Sequence, residues 1–342
     1  MKFLLPLAAL YDGITRLLNA LYDHDWKART VPPVRSIGVG NLTVGGTGKT
    51  PHIEYLIRQF SETYRITTLS RGYGRSTKGF CWADDTASAR SVGDEPMQFY
   101  RKFSPQIRVA VGEKRVPAMQ RILREATDTE LLLFDDVFQH RAVAPHILIL
   151  LSDYYRPFYQ DFVLPAGRLR ESRAGAKRAD AVVVSKCPPD LSAERQEEIT
   201  QRVRKYTEAE TPVFFSTIRY GQAQPLFGTK QPPQRVLSVS GIARTEAWAR
   251  YLDENFRVED QLTFADHHDY TPKDIRRIRE RLATCPEGTA VLTTEKDAVK
   301  WLPFAEAWKG TAVHYLPIEV AFLGKGFDTW LQARLWENEG AP

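Results

Sequence analysis

The sequence predicts an α/β fold with two units, in which a larger parallel-sheet domain is followed by a smaller α/β domain. Short, mainly apolar segments such as LLLFD (131–135), ILILL (147–151) and AVVVS (181–185) alternate with helical segments. This alternation is typical of a parallel sheet that helices cover on both faces. A stretch with Gly, Gln and Pro (213–233) then precedes a second strand–helix series. Because it also holds one or two strand-like segments, we interpret it as a short β linker.

The elements follow from apolar periodicity along the chain. The first unit opens with the strand VRSIGVGN, a glycine loop and a helix over 49–60, and its further strands are predicted at 66–70, 107–111, 131–135, 147–151 and 181–185. The second unit has strands in 235–241 and 290–297 and helices around 244–255 and over 272–282. The predicted bounds are 1–28 for an N-terminal amphipathic helix, 29–212 for the larger domain, 213–233 for the linker, 234–320 for the smaller domain and 321–342 for a C-terminal helix with a frayed tail.

The N-terminal segment carries an apolar stripe but is unsuited to cross a bilayer. Asp12, Arg16 and Asn19 interrupt it, and a spanning helix needs about 20 apolar residues. The residues at helical spacing are Leu7, Leu10, Ile14, Leu17, Leu18 and Leu21. Two interpretations stand on this pattern: a helix packed on its own domain, or an interfacial helix that lies on a membrane.

Composition restricts the function classes. The chain has 342 residues, with 43% hydrophobic and 26% charged side chains, which is typical of a globular protein. The net charge of +5 is compatible with an acidic substrate or an anionic membrane surface, and is too small to predict a nucleic-acid partner. Cys81, Cys187 and Cys285 lack metal-ligand spacing, so we interpret them as free thiols in a reducing compartment.

The stretch GNLTVGGTGKTP (40–51) predicts a phosphate-binding loop (P-loop) between a strand and a helix. Lys49 supplies a positive charge for the β- and γ-phosphates of a nucleotide, and Thr50 supplies a hydroxyl for Mg²⁺. The residues expected around the nucleotide are Thr43, Val44, Gly45, Gly46, Thr47, Gly48, Lys49 and Thr50. Thr43 occupies the position where G-x-x-x-x-G-K-[ST] has its first glycine, and Gly45–Gly46 then provides the turn.

Acidic residues follow one of the predicted strands. In LLLFDDVFQH, Asp135 and Asp136 come at the end of a buried strand, where the Mg²⁺ partner of a P-loop usually lies. In SVGDEPMQF, Asp94 and Glu95 alone are typical of an ordinary helix start. In FADHHDY, the two histidines among aspartates are either an exposed polar loop or a His–carboxylate pair for proton abstraction.

Two basic loops complete the set of candidates. PAGRLRESRAGAKR (165–178) is either a solvated charge run or a clamp for an anionic substrate, since Arg binds phosphate bidentately. SRGYGR (70–75), glycine-rich and basic after a strand, allows the same two interpretations.

These motifs together resemble one family, the tetraacyldisaccharide 4′-kinases of Gram-negative lipid A biosynthesis. The stretches that carry the resemblance occur in the family's order over residues 1 to 300: GNLTVGGTGKTP, LSRGYGR, GDEP, DDVFQHR, LPAGRLRE, FADHHDY and TTEKDAVK. Thr43 fits the family, which tolerates Thr or Ser at that position. Val137, Arg168 and Ser172 depart from the family pattern.

The resemblance implies an ATP- and Mg²⁺-dependent phosphotransferase. Its substrate would be a tetraacyldisaccharide 1-phosphate, phosphorylated on the 4′-hydroxyl to give lipid IVA. The implied fold is two α/β/α units joined by a two-stranded linker. The implied location is the cytoplasmic face of the inner membrane, with the N-terminal helix on an anionic surface and no obligate protein partner.

The resemblance also assigns site residues. Asp94 resembles the catalytic base of the family. A histidine of the DHH motif would assist it, and His267 is preferred over His268. Lys49 is the third catalytic residue that the resemblance implies. Thr50 with Asp135 or Asp136 would hold Mg²⁺, the choice between the aspartates remaining open. Arg115, His140, Arg170 and Glu171 are further candidates for binding the disaccharide, its phosphate or metal.

Three other classes were weighed against this one. A nucleotide-switch GTPase needs [NT]-K-x-D at a strand end, and neither SKCP (185–188) nor TEKD (294–297) fits that pattern. A peripheral membrane-binding module with a regulatory nucleotide site is a second alternative. A P-loop ligase or carboxylase acting on a soluble acid is the third, and the amphipathic N-terminus and the DHH motif argue against it.

Overall fold

The structure, a computed structural model, describes residues 4–242 and 245–337. The elements of the first part are α1 (Leu5–Asp23), β1 (Arg35–Asn41), α2 (Lys49–Phe60), β2 (Ile66–Ser70), β3 (Cys81–Trp82), α3 (Ala89–Val92), α4 (Asp94–Phe103), β4 (Ile107–Val111), α5 (Arg115–Glu125), β5 (Leu131–Asp135), β6 (Ile147–Asp153), β7 (Ala181–Ser185) and α6 (Ala193–Arg204). Those of the second part are β8 (Val213–Tyr220), β9 (Gln224–Phe227), β10 (Arg235–Ser240), α7 (Glu246–Asn255), β11 (Arg257–Thr263), α8 (Pro272–Ala283), β12 (Thr289–Thr294), α9 (Glu295–Trp301), β13 (Val313–Leu316), β14 (Ile318–Phe322) and α10 (Gly326–Glu337). Short 3₁₀ helices cover Phe158–Gln160, Arg173–Arg178 and Leu302–Trp308.

A nine-stranded sheet forms the larger domain, in the order β14-β8-β7-β6-β1-β5-β2-β4-β3. Its strands are parallel, except that β14 and β3 pair antiparallel at the two edges. The central strand β1 pairs with β5, with Val39 opposite Asp135, and with β6, with Asn41 opposite Leu151. The loops after these strands therefore meet at one edge of the sheet, where ligands bind in such folds.

A second sheet of five strands forms the smaller domain, in the order β11-β10-β12-β13-β9. Only β9 runs antiparallel to its neighbour within this described sheet. Trp301 and Trp308 stack on each other, with ring centroids 5.2 Å apart, inside a core that α8 and the strands close. The α/β fold class and the strands predicted at 66–70, 107–111, 131–135 and 181–185 are confirmed, as is the helix over 49–60.

The chain passes between the sheets at places that differ from the predicted bounds. In the predicted linker, β8 belongs to the larger sheet and β9 to the smaller one, so the crossing itself is 221–223. The smaller sheet ends with β13, because β14 returns to pair with the exposed edge of β8. The helix α10 then packs Phe327, Leu331 and Leu335 into the core of the larger domain. The boundary expected at 320 therefore lies before Ile318.

Two expectations concern residues beyond the described part of the chain. The helix predicted around 244–255 is described from Glu246, and Arg244 lies outside the described residues. The predicted frayed tail, 337–342, lies outside them apart from the backbone of Glu337.

The N-terminal helix α1 attaches to the larger domain through polar contacts. Tyr11 Oη donates to the carbonyl of Arg170 at 3.0 Å, and Asn19 Nδ2 donates to Glu171 at 2.8 Å. Its apolar stripe is left at the surface: the exposed side chains are Leu7, Leu10, Ile14, Leu17 and Leu18. Within the described chain, no helix combines the length and the apolar character needed to cross a bilayer.

Candidate active site

The glycine loop is built as a cradle at the start of α2. Gly45 and Gly48 have φ of 106° and 85°, a region in which only glycine rests without strain, and Gly48 is the N-cap of the helix. Space lies open around Gly45 and Gly46, so an anion can approach their backbone closely. The N–H groups at a helix start and the helix dipole both favour negative charge there.

Thr43 has a structural role that explains the absent glycine. It lies in an antiparallel bridge with Leu169, where Val44 N–H donates to Arg168 O at 2.8 Å and Arg170 N–H donates to Leu42 O at 2.7 Å. The backbone at Thr43 is thus an extension of β1, which any residue can adopt. The turn comes later, at Gly45.

His52 supports the loop from inside the domain. Its Nδ1 lies 2.6 Å from the Gly48 carbonyl and its Nε2 lies 2.9 Å from Ser216 Oγ. Because a carbonyl only accepts, Nδ1 carries the proton and Nε2 accepts from the serine hydroxyl. Burial lowers the pKa of His52 to about 4, and the charge of Lys186 acts in the same direction. The ring is therefore neutral at physiological pH.

We expect His52 to make the fold sensitive to acid. Below pH 6.5 the unfolded chain binds a proton that folded His52 takes up only near pH 4, so the free energy of unfolding falls as pH falls through this window. The loss attributable to His52 is on the order of 3 kcal/mol. Denaturant titrations of wild type and His52→Gln from pH 7 to 4.5 measure it; the variant should show a shallower slope, while His24→Gln, at an exposed site, should keep the wild-type slope. Equal slopes in all three proteins would contradict this role.

Lys49 extends from the start of α2 toward the ends of β1 and β5. Its Nζ lies 3.4 Å from Asn41 Oδ1 and 3.5 Å from Asp136 Oδ1. Asn41 Nδ2 in turn donates to Thr47 Oγ1 at 2.9 Å, so Asn41, at the end of β1, contacts both Lys49 and the glycine loop. This places the lysine charge beside the cradle, as the motif predicts.

The two adjacent aspartates differ in their surroundings. Asp135, at the end of β5, is buried, and its Oδ1 has no hydrogen-bond partner among the described residues. Burial raises its pKa to about 7, although the charge of Lys49 opposes the rise. Burial also acts to raise the pKa of Asp136, but Lys49 and Arg170, whose Nη1 is 3.0 Å away, outweigh burial and lower it. Asp136 is thus a paired carboxylate, while Oδ1 of the buried Asp135 has no hydrogen-bond partner among the described residues.

The donor set fits Mg²⁺. This ion prefers oxygen ligands and is usually held by one or two carboxylates together with phosphate and water. An orphaned, buried carboxylate oxygen on Asp135 is costly without a cation, and the Thr50 hydroxyl lies at the start of the neighbouring helix. Among the described residues, no group of three or more His, Cys, Asp or Glu is arranged for an all-protein metal cage.

Asp94 lies at the same edge of the larger sheet. It is the first residue of α4, and Gly93 before it packs against Gly72 in the loop that follows β2. The neighbouring Glu95 is near enough for its charge to raise the pKa of Asp135. The start of α4 and the aspartate at the end of β5 therefore share one cleft.

The second domain places a histidine against Asp94. His267 Nδ1 lies 3.3 Å from Asp94 Oδ2, and His267 Nε2 lies 3.0 Å from Lys296 Nζ. A carboxylate accepts and an ammonium donates, so Nδ1 bears the proton and Nε2 accepts. His267 has φ of 57°, a region that few non-glycine residues occupy, and such strain is often found at functional sites.

His268 turns the other way. Its Nε2 lies 3.2 Å from Asp274 at the start of α8, and its ring packs on Phe264 and Tyr270. Of the two histidines of the motif, His267 is the one that faces Asp94 across the domain boundary.

Helices α4 and α9 form a direct contact that holds this arrangement. Lys102 on α4 bridges Glu54 on α2 and Glu295 on α9, with both distances 2.7 Å. Val299 of α9 packs with Met97 of α4 in a small apolar cluster. The P-loop helix, the Asp94 helix and the second domain are therefore linked through buried groups.

Comparison with known proteins identifies the family. A family model described as tetraacyldisaccharide-1-P 4′-kinase matches residues 1–336. The chain belongs to the tetraacyldisaccharide-1-P 4′-kinase family. It is accordingly a phosphotransferase of the kinase type.

Relatives and a solved structure agree along nearly the whole chain. The kinase is 41% identical over 334 residues to the tetraacyldisaccharide 4′-kinase of Flavobacterium psychrophilum, covering 96% of this chain and 94% of the relative. Against that of Cytophaga hutchinsonii the identity is 40% over 321 residues, covering 93% and 90%. The crystal structure of LpxK from Aquifex aeolicus, in complex with ATP, superposes with a TM-score of 0.76 at 28% identity and covers 98% of both chains.

The four further candidates for binding the substrate or metal separate into two groups, half-buried side chains at the cleft and buried side chains with structural contacts. Arg170 and His140 are half-buried at the cleft, where burial and the charge of Arg115 lower the His140 pKa to about 4. Arg115 is buried, donates to the carbonyls of Gly112 and Asp135, and has its pKa lowered to about 10 by burial. It supports the strand end that carries Asp135.

Glu171 is placed differently from the expectation that it binds substrate. It is 3% exposed and accepts hydrogen bonds from Arg178, Asn19 and Gln139 at 2.8–3.0 Å. These bonds satisfy both carboxylate oxygens. The physical reason is that α1 docks on this loop, so Glu171 anchors the N-terminal helix.

The departures from the family pattern fit the fold. Val137 is buried, and a Cβ on Gly38 would lie 2.6 Å from its Cγ1, so the glycine provides the room for this side chain. Ser172 caps the 3₁₀ helix at Arg173–Arg178 by accepting from Ala174 N–H at 3.3 Å. The Arg168 carbonyl accepts the bond from Val44 described above.

Several residues of the site were missed by sequence reasoning. Lys296 and Lys300 reach the Asp94–His267 pair from α9, although the TTEKDAVK stretch entered only as part of the resemblance and no role was predicted for either lysine. Their spacing of four, on one face of a helix, was the available signal. Lys186 also touches the loop, donating to the Gly46 carbonyl while it pairs with Asp153 at 3.0 Å.

Proposed function

We propose that this kinase transfers the γ-phosphate of ATP to the 4′-hydroxyl of a tetraacyldisaccharide 1-phosphate, giving lipid IVA. The observation that carries the proposal is a single cleft with two sides. On one side stand the P-loop, Lys49 and Asp135; on the other, the carboxylate of Asp94 with His267 of the second domain. Transfer from a nucleotide to an alcohol needs both sides.

The nucleotide side binds and orients phosphate. The amides of Gly45–Thr50 and the Lys49 ammonium hold the β- and γ-phosphates, while the Val44 amide is bonded to the Arg168 carbonyl, and a phosphate held here lies beside Asp135. Thr50 and Asp135 would hold Mg²⁺, with Asp136 oriented by Arg170 behind them. When bound, the ion neutralises part of the charge that develops on the transferring phosphate.

The acceptor side prepares the sugar hydroxyl. Asp94 accepts the hydroxyl proton, and His267 orients the carboxylate and stabilises the charge distribution of the pair. Arg170 and His140, half-buried at the cleft, are the side chains we assign to the substrate or its phosphate. Because Asp94 and His267 come from different domains, approach of the loop after β11 to the start of α4 completes the pair and limits access of water.

We further propose that the kinase works at the cytoplasmic face of the inner membrane, with α1 lying on the anionic surface. The helix attaches to the protein by its polar side and exposes its leucines, which is the arrangement an interfacial helix needs. Its lipid-linked substrate resides in that layer. Because α1 is bonded to the loop that carries Arg170 and Glu171, a helix bound to the membrane would hold the active site close to the membrane surface.

Replacing Leu10 and Leu17 with serine is expected to weaken liposome binding at least tenfold. These side chains are 64% and 65% exposed, so their loss removes apolar area from the membrane contact and little from the core. Sedimentation with vesicles of anionic phospholipid measures the partition. Trp336→Ser removes an equally exposed apolar side chain from α10 and should partition as wild type. Equal partition of all three proteins would contradict membrane binding by α1 and favour the interpretation that this helix packs only on its own domain.

The reaction itself is tested with γ-labelled ATP. Incubation with the disaccharide 1-phosphate and Mg²⁺, followed by separation of the lipids, should give one labelled product that requires both substrates. A labelled product with GTP but not ATP, or hydrolysis without transfer, would contradict the proposed function.

A further inference from the structure

Lys300 makes a contact across the domain boundary to which the roles above assign nothing. It lies on α9, and its Nζ is 2.9 Å from Oδ2 of Asp94 at the start of α4. His267 Nδ1 approaches the same oxygen at 3.3 Å. The second domain therefore brings two groups, an imidazole and an ammonium, to one carboxylate oxygen of the first domain.

Lys300 is itself held firmly by its own domain. Its side chain is 7% exposed, and Nζ donates to the His268 carbonyl at 3.1 Å and lies 3.9 Å from Oδ1 of Asp297. Asp297 is fully buried, and its Oδ2 accepts from Gly241 N–H and the Thr294 hydroxyl at 2.7 Å each. A lysine with this many partners has little rotamer freedom, so its charge stands at a defined point.

We propose that Lys300 is a positioning residue for phosphoryl transfer: it fixes Oδ2 of Asp94 and thereby presents Oδ1 to the sugar hydroxyl. This inference rests on the base role proposed for Asp94. Within the described residues the side-chain contacts of Asp94 with His267 and Lys300 both go to Oδ2. A charge-assisted bond is shorter and about twice as strong as a neutral one, so Lys300 restrains the carboxylate more than His267 does.

The charges around Asp94 agree with this role. Burial by itself raises the pKa of Asp94, but the hydrogen bond from His267 and the charge of Lys300 outweigh burial and lower it. Lys296 acts in the same direction from farther along α9. Loss of the Lys300 charge therefore moves the Asp94 pKa upward, toward the range in which the carboxylate becomes protonated and can no longer accept a proton.

Three acidic side chains also lie near Asp94, Lys296 and Lys300, and their negative charges affect the pKa of Asp94. Asp266 pairs with Lys296 at 3.0 Å, Asp297 lies behind Lys300, and Glu95 follows Asp94 on α4. Each of them is negatively charged when ionised, and a negative charge near Asp94 can only raise the pKa of Asp94. The lowering thus depends on the groups that the second domain supplies.

Lys102 offers a matched control. It is also a lysine at the contact of α4 and α9, and its Nζ binds Glu54 and Glu295 at 2.7 Å each. Its loss weakens the domain contact by a comparable buried ion pair but leaves the partners of Asp94 in place. The two lysines therefore separate positioning of the base from general support of the interface.

The test measures kcat and KM against pH for wild type, Lys300→Met and Lys102→Met, with ATP and tetraacyldisaccharide 1-phosphate as substrates. Lys300→Met should lower kcat at neutral pH about tenfold with little change in KM. In the profile of kcat against pH, the fall of kcat on the acidic side (the acidic limb) should move to a pH roughly one unit higher. Lys102→Met should leave that limb at its wild-type position. In an Asp94→Asn background, Lys300→Met should cause no further loss of kcat.

The outcomes separate this inference from the function it rests on. An acidic limb that stays in place in Lys300→Met, or a loss of kcat that persists in the Asp94→Asn background, overturns the positioning role. Lys300→Gln, which keeps a polar head group, replaces Lys300→Met in the same assays if the methionine variant melts below the assay temperature. Lys300→Arg keeps the charge and should keep the wild-type limb. If Asp94→Asn alone leaves kcat unchanged, the base assignment fails, whatever the Lys300 variants do.

Discussion

Lys49→Ala is expected to lower kcat by roughly 10²–10³-fold, because one preorganised charge aimed at the transferring phosphate is lost. The KM for ATP should rise as well, since the same ammonium binds the ground-state phosphates. The fold should persist: Asp136, the acidic partner of Lys49, keeps its bond with Arg170 at 3.0 Å, and the charge of Arg115 still acts on the buried Asp135.

Steady-state kinetics together with thermal melting checks this expectation. Lys309→Ala serves as the matched control, because Lys309 pairs with Glu306 in an exposed i, i+3 contact. The control should behave as wild type in both measurements. Unchanged turnover in Lys49→Ala would remove the P-loop from the chemistry, whereas a melting temperature well below wild type would mean that the loss reflects unfolding.

Asp94→Asn and His267→Ala should each lower kcat by about 10²-fold or more, with Asp94→Asn the larger of the two. Asparagine fills the same space at the start of α4 but is no base for the sugar hydroxyl. Alanine at position 267 removes the Nδ1 contact at 3.3 Å and leaves the carboxylate with Lys300 alone. Binding of ATP should change little in either variant, since the cradle is built by the other side of the cleft.

The double variant decides whether the two residues act as a pair. If His267 works through Asp94, its removal costs little once the carboxylate is gone, so the combined loss should be clearly smaller than the product of the single losses. His268→Ala is the control, because that ring faces Asp274 rather than Asp94. Full additivity, or an equal loss of kcat in His268→Ala, would speak against the proposed pair.

Local sequence patterns were sufficient to predict most strands and helices and the residues on the nucleotide side of the candidate site. The runs at 131–135 and 181–185 became strands with those bounds, because a strand buried on both faces favours apolar residues, and the segments at 66–70 and 107–111, rich in β-branched residues, did so as well. The loop from Gly45 to Thr50 was also readable, since its chemistry depends on backbone angles and on residues adjacent in sequence. Asp135 and Asp136 followed from the end of a predicted strand.

Contacts between distant residues could not be read in the same way. The resemblance made Glu171 a candidate for binding the substrate or metal, yet Arg178 and Asn19 bond to it and make it the anchor of α1. The return of β14 to the larger sheet was missed because IEVAF fits either sheet, and only the open edge of β8 selects its partner. The choice of His267 over His268 likewise depends on which ring the loop after β11 turns toward α4.

The sequence by itself determined the two-unit α/β fold, the phosphate cradle and the family of the reaction, because each depends on residues near one another along the chain. In GNLTVGGTGKTP, it also predicted that Gly45, Gly46, Gly48, Lys49 and Thr50 provide the phosphate chemistry although Thr43 stands where the pattern has a glycine. Tertiary structure alone decided why Thr43 is tolerated, through its bridge to Leu169, and which cations stand beside Asp94. The reason is physical: a hydrogen bond or ion pair acts over about 3–4 Å, and only folding brings residues some 200 positions apart within that distance.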